Sequence, residues 1–292
     1  MDLIEINPFS TAKENNKPLI LDGAMGTLLQ QRGYVLDNKI WGTNINKLYP
    51  EEVLKIHNEY IEAGANIITS NTFRTNPAAF WGSDYEFNPQ YVINAVNLAK
   101  KAVGKHNVLI AGSNAPAEDC YKKERNISYN KLKINHINHI DLLVDSGVDL
   151  ILNETQSHFD EIKIICEHCH NIKVPFIIGL YCTKELKLLS GENIKNVINY
   201  IQDYAPLAIG FNCIHPNIFM SLLSSVLYEK INWGFYLNCG SGNYTDKIID
   251  CGISPKDYIG YIKKSLKYKP SFIGACCGSN PEHIKAIKKL YE

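Results

Sequence analysis

The feature that most constrains the fold is a repeated alternation of short apolar runs and longer amphipathic segments along the 292 residues. Most of the short runs are apolar on both faces, as a sheet buried beneath helices requires, and alternation of this kind is typical of parallel βαβ units. Eight pairs can be counted. The predicted strands are 18–21, 66–69, 108–111, 150–152, 176–180, 208–211, 234–237 and 272–275, and the predicted helices are 51–63, 91–103, 132–145, 159–170, 194–204, 218–229, 255–267 and 281–290.

The residues that begin and end these segments, and the absence of a linker between them, support one closed barrel. Prolines open several of the predicted helices, and Gly64, Gly104 and Gly147 follow helix ends, where a left-handed residue is needed. We find no linker, no low-complexity tract and no Gly-x-Gly-x-x-Gly loop after the first strand, which an open dinucleotide-binding sheet would favour. The sequence therefore predicts an α/β protein with a single (β/α)₈ TIM barrel spanning 1–292.

Charge and cysteine usage limit the partners. Lys plus Arg and Asp plus Glu both number 30, so we expect no nucleic acid partner. The first residues lack the blocks of a signal peptide and no apolar run is long enough to span a bilayer, so we expect a cytoplasmic protein with no membrane contact. Nine cysteines, an odd number, then favour metal binding or catalysis over a disulfide framework.

Reactive side chains follow the predicted strands. Active sites of such barrels lie at the carboxyl ends of the strands, so the residues just after each apolar run are the candidates for chemistry. They are Asp22 after the first strand, Ser70, Asn71 and Thr72 after the second, Glu154 after the fourth, Cys213 after the sixth, Asn238 and Cys239 after the seventh, and Cys276 and Cys277 after the eighth.

Three of these cysteines form a candidate metal site. Cys276 and Cys277 are adjacent and would face opposite sides of a regular strand, but the flanking glycines permit a bend, and Cys213 can approach from two strands away. Three thiolates suit Zn²⁺ and leave a fourth position for substrate, whereas a structural site would be closed by Cys239 or His215. Both arrangements remain open from the residues alone.

Two further cysteines, Cys166 and Cys169, have the Cys-x-x-Cys spacing of a metal site. They lie within a predicted helix, on the face that carries Ile162 and Ile165. We expect them to pack in the core.

Five segments together resemble the homocysteine S-methyltransferase family, which includes betaine- and S-methylmethionine-dependent enzymes and the homocysteine module of cobalamin-dependent methionine synthase. The resemblance spans nearly the whole chain, and the two cysteine-containing segments are its most specific part. The segments are Leu21-Asp22-Gly23-Ala24-Met25-Gly26-Thr27, Ser70-Asn71-Thr72-Phe73, Asn153-Glu154-Thr155, Gly210-Phe211-Asn212-Cys213 and Gly274-Ala275-Cys276-Cys277-Gly278.

The resemblance implies a zinc-dependent enzyme that methylates the thiol of homocysteine and forms methionine. It implies zinc on Cys213, Cys276 and Cys277, with the homocysteine sulfur as fourth ligand. It places Asp22 and Glu154 near the substrate's ammonium group, and the amides of Gly23, Ala24 and Met25 near its carboxylate, with Asn71, Thr72 and Asn238 as further substrate-binding residues. The loops after the third and seventh strands depart from the family pattern, with Ala115 in place of a common glycine and Leu237 in place of proline.

Alternative functions remain at this stage. Gly240-Ser241-Gly242-Asn243 and Gly278-Ser279-Asn280 resemble loops that cradle phosphate after strands seven and eight, which would indicate a phosphate-binding barrel enzyme. A non-catalytic zinc- or homocysteine-binding protein is the other alternative. For the methyl donor we favour a small sulfonium compound such as S-methylmethionine, because it leaves as a neutral thioether, over a separate methyl-carrier protein.

Overall fold

The computed structural model describes residues 7–225, 228–241 and 249–292. Its strands form one parallel eight-stranded sheet. Most of them are buried along their whole length, which is why their sequences read as continuous apolar runs. The strands are β1 (Leu19–Ile20), β2 (Ile67–Thr69), β3 (Leu109–Asn114), β4 (Leu150–Gln156), β5 (Phe176–Leu180), β6 (Ala208–Asn212), β7 (Trp233–Leu237) and β8 (Phe272–Ala275).

Helices lie in the connections between consecutive strands, before the first strand and after the last. Asparagine, serine or histidine side chains cap several of them, and proline occupies the first turn of others, so the chain marks its own helix starts. The helices are α1 (Pro8–Glu14), α2 (Gly26–Gln31), α3 (Ile45–Leu48), α4 (Pro50–Glu62), α5 (Pro77–Phe80), α6 (Gln90–Val103), α7 (Tyr129–Asp145), α8 (Phe159–Asn171), α9 (Ile194–Gln202), α10 (Pro216–Leu223), α11 (Pro255–Ser265) and α12 (Pro281–Lys288).

The sheet closes into a barrel. Each strand from β2 to β8 pairs with the next, and β8 pairs with β1. Between β1 and β2 a parallel bridge joins Leu21 to Ile67, and the amide of Asp22 donates to the carbonyl of Ile67 at 3.0 Å. Closure brings the carboxyl ends of all eight strands to one rim. The predicted TIM barrel is confirmed.

Two apolar layers hold the barrel. A large layer lies between the strands and the surrounding helices, and a smaller one fills the interior. In the interior, Phe9 of α1 packs edge-on against Phe272, with ring centroids 5.6 Å apart, and is fully buried. The helix α1 therefore plugs the amino-terminal end of the barrel and leaves the opposite rim for the site.

All eight predicted strands are present, with boundaries within a few residues of those predicted. The predicted helix 218–229 is shorter than expected, because α10 ends at Leu223 and Ser224 caps it; residues 226–227 lie outside the described part. The short helices α1, α2, α3 and α5 were not predicted, because segments of four to seven residues are too short to show a helical period. Among the helices of the described residues, none combines the length and the hydropathy that crossing a membrane requires.

Candidate metal centre and active site

Three cysteine sulfurs meet at the carboxyl rim of the barrel. The Sγ atom of Cys213 lies 2.9 Å from that of Cys276 and 3.5 Å from that of Cys277, and the last two are 4.0 Å apart. All three sulfurs thus lie within 4.8 Å of one another. The sixth and eighth strands therefore deliver the three thiols to one point, as the sequence predicts.

Local backbone geometry aims these thiols inward. Cys213 directly follows β6 and adopts a left-handed conformation with φ of 53°, which is strained for a residue with a Cβ atom and is typical of functional positions. After β8 the chain turns at Gly278, whose φ is 81°. A Cβ atom at Gly278 would lie 2.5 Å from the backbone of Gly240, so only glycine fits. This turn lets the adjacent Cys276 and Cys277 share one face.

The cluster fits a thiophilic metal ion. A tetrahedral zinc ion with Zn–S bonds of about 2.3 Å separates its sulfurs by about 3.8 Å. The Cys277 sulfur is close to this distance from the other two, at 3.5 and 4.0 Å, whereas the Cys213 and Cys276 sulfurs would have to separate slightly from 2.9 Å. Cys213 is buried and the other two are partly exposed, so one side of the cluster opens to a cavity. Three protein ligands with a free side are the usual arrangement of a catalytic zinc site, whereas structural sites have four.

Hydrogen bonds converge on Cys213. The hydroxyl of Tyr121 donates to its Sγ atom at 3.1 Å. These bonds, first those from Cys276 and Cys277 and then that from Tyr121, lower the pKa of the Cys213 thiol well below its usual range. Cys213 is therefore the sulfur that ionises first, and a metal ion would favour ionisation of the other two.

Asp22 lies at the end of β1, beside the cluster. Its carboxylate accepts hydrogen bonds from the amide and the hydroxyl of Thr69, both at 2.8 Å. Burial raises the pKa of Asp22 to about 8. Within the described residues no Lys, Arg or His forms an ion pair with it. A buried carboxylate of this kind is a ready acceptor for a cationic ligand.

Glu154 faces the same space from β4. The strand bulges between Asn153 and Gln156, and Thr155 takes a left-handed conformation that the side chain of Asn212 fixes by accepting from its amide at 2.9 Å. Glu154 accepts a hydrogen bond from the hydroxyl of Ser113. Burial raises its pKa to about 7. Two carboxyl groups with raised pKa values thus flank the cavity.

The loop after Asp22 supplies the opposite kind of group. The carbonyl of Ala24 accepts from the Tyr60 hydroxyl at 2.8 Å, and the amide of Ala24 donates to Ser279 Oγ at 3.0 Å. A Cβ atom at Gly23 would lie 2.8 Å from both Tyr60 and Ser279, so the loop can pass only as glycine. Because the Ala24 amide has a protein partner, the amides of Gly23 and Met25 are the stronger candidates for binding an anion.

The cluster, the two carboxyl groups and the loop line one cavity of about 480 Å³. This volume is within the range of small-molecule sites. Aromatic side chains also line it, among them Trp41, Phe73, Trp81 and Tyr121. The cavity therefore combines metal-ligating, acidic and aromatic groups at the rim where barrel enzymes carry out their chemistry.

Comparison with known proteins decides the family. The sequence pattern that defines homocysteine S-methyltransferases matches residues 19–291. The chain belongs to the homocysteine S-methyltransferase family. It is a methyltransferase, and the family resemblance of its sequence motifs is confirmed.

Relatives named for this activity align over almost the full length of the chain. Homocysteine S-methyltransferase from Escherichia coli (strain K12) is 25% identical over 97% of this chain and 98% of its own. Homocysteine S-methyltransferase 2 from Arabidopsis thaliana is 23% identical, with 97% of each chain covered. The crystal structure of the metallated form of the homocysteine methyltransferase MmuM from Escherichia coli has a TM-score of 0.79, at 24% identity over 97% of this chain and 99% of that one. This likeness confirms the fold.

The remaining predicted residues of this methyltransferase differ in their access to the cavity. Asn71 lines the cavity, but its side-chain amide donates to Asn46 Oδ1 at 2.9 Å and to the carbonyl of Gly42 at 3.2 Å. Thr72 is fully buried and is not among the lining residues. Asn238 lines the cavity and accepts from the amide of Gly240 at 2.7 Å. The structure therefore brings Asn238 to the site, leaves Asn71 at its edge and puts Thr72 behind the wall.

The residues considered for closing the metal site lie elsewhere. Cys239 is fully buried behind the cluster, with its thiol donating to the carbonyl of Leu237 at 3.5 Å. His215 caps α10 by accepting from the amide of Asn217 at 3.2 Å. Cys166 and Cys169 are fully buried in the core, as predicted. In the described part of the chain, none of these groups belongs to the three-sulfur cluster.

One loop of the phosphate-binding alternative is fully occupied by the protein. The amides of Gly278, Ser279 and Asn280 donate to Thr27 Oγ1 at 2.9 Å, to the carbonyl of Cys276 at 3.0 Å and to His283 Nδ1 at 3.2 Å. In the other loop, Gly242 and Asn243 lie outside the described residues. The described loop thus offers no free amide to a phosphate.

Sequence reasoning missed Tyr121. It lies in the long connection between β3 and α7, where residues 115–128 show neither strand nor helix periodicity. Its contact with Cys213 joins residues 92 positions apart. The only feature of the sequence that pointed to Tyr121 is its position shortly after a barrel strand, and tyrosines at such positions are too common to predict a functional role.

Proposed function

We propose that this protein transfers a methyl group from a small sulfonium compound to the thiol of homocysteine, with zinc held by Cys213, Cys276 and Cys277. The observation that carries the proposal is the meeting of three cysteine sulfurs within 4.8 Å of one another at the wall of a cavity. A closed structural site would need a fourth ligand, and in the described structure Cys239 and His215 bond to other groups and are not part of the cluster.

The metal explains how a thiol can act at neutral pH. A free thiol has a pKa near 8.5, and zinc bound at this cluster would lower the pKa of a thiol that coordinates it. No general base is then required. The protein's part is to hold the acceptor sulfur and the methyl carbon in line, so that one sulfur–carbon bond forms as the donor's bond breaks. The donor leaves as a neutral thioether.

The two carboxyl groups match the ammonium group of an amino acid substrate. Asp22 and Glu154 approach the cavity from different strands. Burial raises the pKa of both side chains because it removes the water that would stabilise the charged carboxylates. A bound ammonium group would stabilise both as carboxylates. On the other side, the amides of Gly23 and Met25 would receive the substrate's carboxylate. These assignments rest on complementarity of charge and on the cavity that these residues share.

The aromatic wall favours a cationic donor. Trp41, Phe73 and Trp81 line the cavity, and aromatic faces attract sulfonium and quaternary ammonium groups. Arg74 already lies over the Phe73 ring and Lys131 over the Trp81 ring, so Trp41 is the strongest candidate to contact the donor. This preference suits a small donor that enters the cavity directly. A separate methyl-carrier protein has no role in this proposal, and the test below includes a result that would indicate one.

The test is methionine formation by the zinc-loaded protein from homocysteine and one donor at a time. We expect turnover with S-methylmethionine and little with betaine or methylcobalamin, and selenocysteine should be tried as a second acceptor because a relative from Brassica oleracea var. italica is named a selenocysteine Se-methyltransferase. Cys213→Ser should abolish both turnover and tight zinc binding. The control Cys251→Ser changes an exposed cysteine and should keep both. A Cys213→Ser protein with full zinc and full turnover would refute the proposal.

A further inference from the structure

A cluster of zinc-bound thiolates creates a problem of selectivity. If the proposed function holds, Cys213, Cys276 and Cys277 are themselves nucleophilic sulfurs, and they line the same cavity as the methyl donor. Methylation of any of them would turn a metal ligand into a thioether and disable the site. The acceptor thiol must therefore react faster than the protein's own sulfurs.

Tyr121 is placed to suppress one of these competitors. Its hydroxyl donates to Cys213 Sγ at 3.1 Å, and its ring packs edge-on against Tyr181 with centroids 5.3 Å apart. Tyr121 and Cys213 both line the cavity, so this hydrogen bond lies at the cavity wall. A hydrogen bond to a thiolate occupies a lone pair that an attack on carbon would need.

The loop that carries Tyr121 is anchored on both sides. Before Tyr121, the amide of Ala117 donates to Glu161 Oε2 at 2.8 Å. After it, Arg125 forms an ion pair with the buried Glu161 and bonds of 2.7 Å with Asp160. The Nε2 atom of His136 lies 2.6 Å from the same Glu161 carboxylate.

Glu161 is thus held on α8 by partners from two other elements, and burial of this network makes its geometry rigid. Because the loop is fixed in this way, the Tyr121 hydroxyl is already in position to bond to the sulfur. Little further conformational entropy is then lost when substrate binds.

We propose that the Tyr121 hydroxyl protects Cys213 from methylation, so that the methyl group passes to the acceptor thiol and not to the metal ligand. In the suppressed reaction a lone pair of Cys213 would form the new sulfur–carbon bond. The donor's sulfur–carbon bond would break at the same time, and the donor would keep the electrons of that broken bond and leave as a thioether. Tyr121 would slow this step because its hydrogen bond must break first.

The test uses iodomethane as the methyl electrophile, with zinc-loaded protein and no homocysteine. Iodide leaves as the thiolate is methylated, so the reaction is independent of the natural donor. Wild type, Tyr121→Phe and the control Tyr85→Phe, which removes an exposed phenol, are compared by peptide mass spectrometry at every cysteine over time. Tyr121→Phe should speed methylation of Cys213 about tenfold or more, because the hydrogen bond to the charged sulfur no longer has to break first.

Methylation of the exposed Cys251 serves as the internal reference and should not change. We expect equal zinc content in all three proteins at the start, and faster zinc release from Tyr121→Phe as Cys213 is methylated. Arg125→Gln, which frees the loop without touching Tyr121, should give a smaller increase at the same cysteine.

An unchanged rate at Cys213 in Tyr121→Phe overturns the protection. A Tyr121→Phe protein that has lost zinc or its normal melting temperature before iodomethane is added also overturns it, because the tyrosine is then structural. If zinc and methyl transfer are normal, either result leaves the proposed function intact. Wild type that binds no zinc refutes the proposed function and the protection together.

Discussion

The sulfur of Cys213 lies 2.9 Å from the sulfur of Cys276, although the two residues are 63 positions apart in the chain. They follow β6 and β8, and β7 runs between these strands. The contact therefore exists only when the barrel is closed and each strand has its correct neighbours. Because an ion held by these sulfurs binds the folded chain alone, we expect metal binding to stabilise the protein.

Asp22→Asn should weaken homocysteine binding and alter the pH dependence of stability. The pKa of Asp22 is about 8 in the folded protein and about 3.9 in the unfolded chain. The folded state therefore holds a proton that the unfolded state has lost, so this group's contribution to stability is present below about pH 4 and disappears as the pH rises toward 8. Asparagine cannot ionise, so the variant should gain stability over wild type as the pH rises from 5 to 8.

The measurement is urea unfolding of metal-free protein at both pH values, together with the KM for homocysteine. We expect at least a tenfold increase in KM. Asp84→Asn changes an exposed carboxyl group and serves as the control for both readouts. An Asp22→Asn protein with unchanged KM would remove Asp22 from the substrate site.

Gly23→Ala should damage the loop that is proposed to bind the substrate's carboxylate. The new methyl group would lie 2.8 Å from both Tyr60 and Ser279, whose hydroxyls hold the two sides of Ala24. Overpacking of this kind costs about 1–3 kcal/mol, and KM for homocysteine should rise. Thermal unfolding and steady-state kinetics measure the two effects.

Gly260→Ala is the matched control for that substitution. It lies within α11 and has no atom within 4 Å of an added Cβ. Alanine is the better helix former by up to about 1 kcal/mol, so this variant should be as stable as wild type or more so, with unchanged kinetics. Equal behaviour of the two alanine variants would contradict the tight packing around Gly23.

Thr72→Val separates burial from substrate contact. The Thr72 hydroxyl donates to the carbonyl of Ser113 at 2.9 Å and lies 2.9 Å from the hydroxyl of Ser70, and Thr72 itself does not line the cavity. Its loss should lower the free energy of unfolding by about 1–3 kcal/mol and change KM for homocysteine by less than about twofold. By contrast, Asn238→Ala at the cavity wall should raise KM with little loss of stability. A large KM effect at Thr72 would restore it to the substrate-binding set.

The strands and the cysteine cluster could be predicted because their signals are local. Short runs such as the one ending at Phe211 are apolar on both faces, and the fold class then places every residue that follows a strand at one rim. Once the eight strands were assigned, Cys213, Cys276 and Cys277 could be placed at the same rim, and the structure shows that their sulfurs meet there, with Gly278 at the turn.

What sequence could not give was the direction of individual side chains. Asn71 and Thr72 follow the same strand, yet Asn71 reaches the cavity edge while Thr72 bonds to the neighbouring strand. Tyr121 reaches Cys213 from a loop that the ion pair of Arg125 with Glu161 anchors, and those contacts depend on tertiary packing. Irregular loops carry no periodicity from which such contacts can be predicted.

X-ray absorption at the zinc edge, before and after homocysteine is added, tests the central claim most directly. The account predicts about one zinc per chain with three sulfur ligands at about 2.3 Å and one light ligand, which a fourth sulfur replaces when homocysteine binds. Four sulfur ligands before addition, or a spectrum that homocysteine leaves unchanged, would contradict an open zinc site that takes the acceptor thiol.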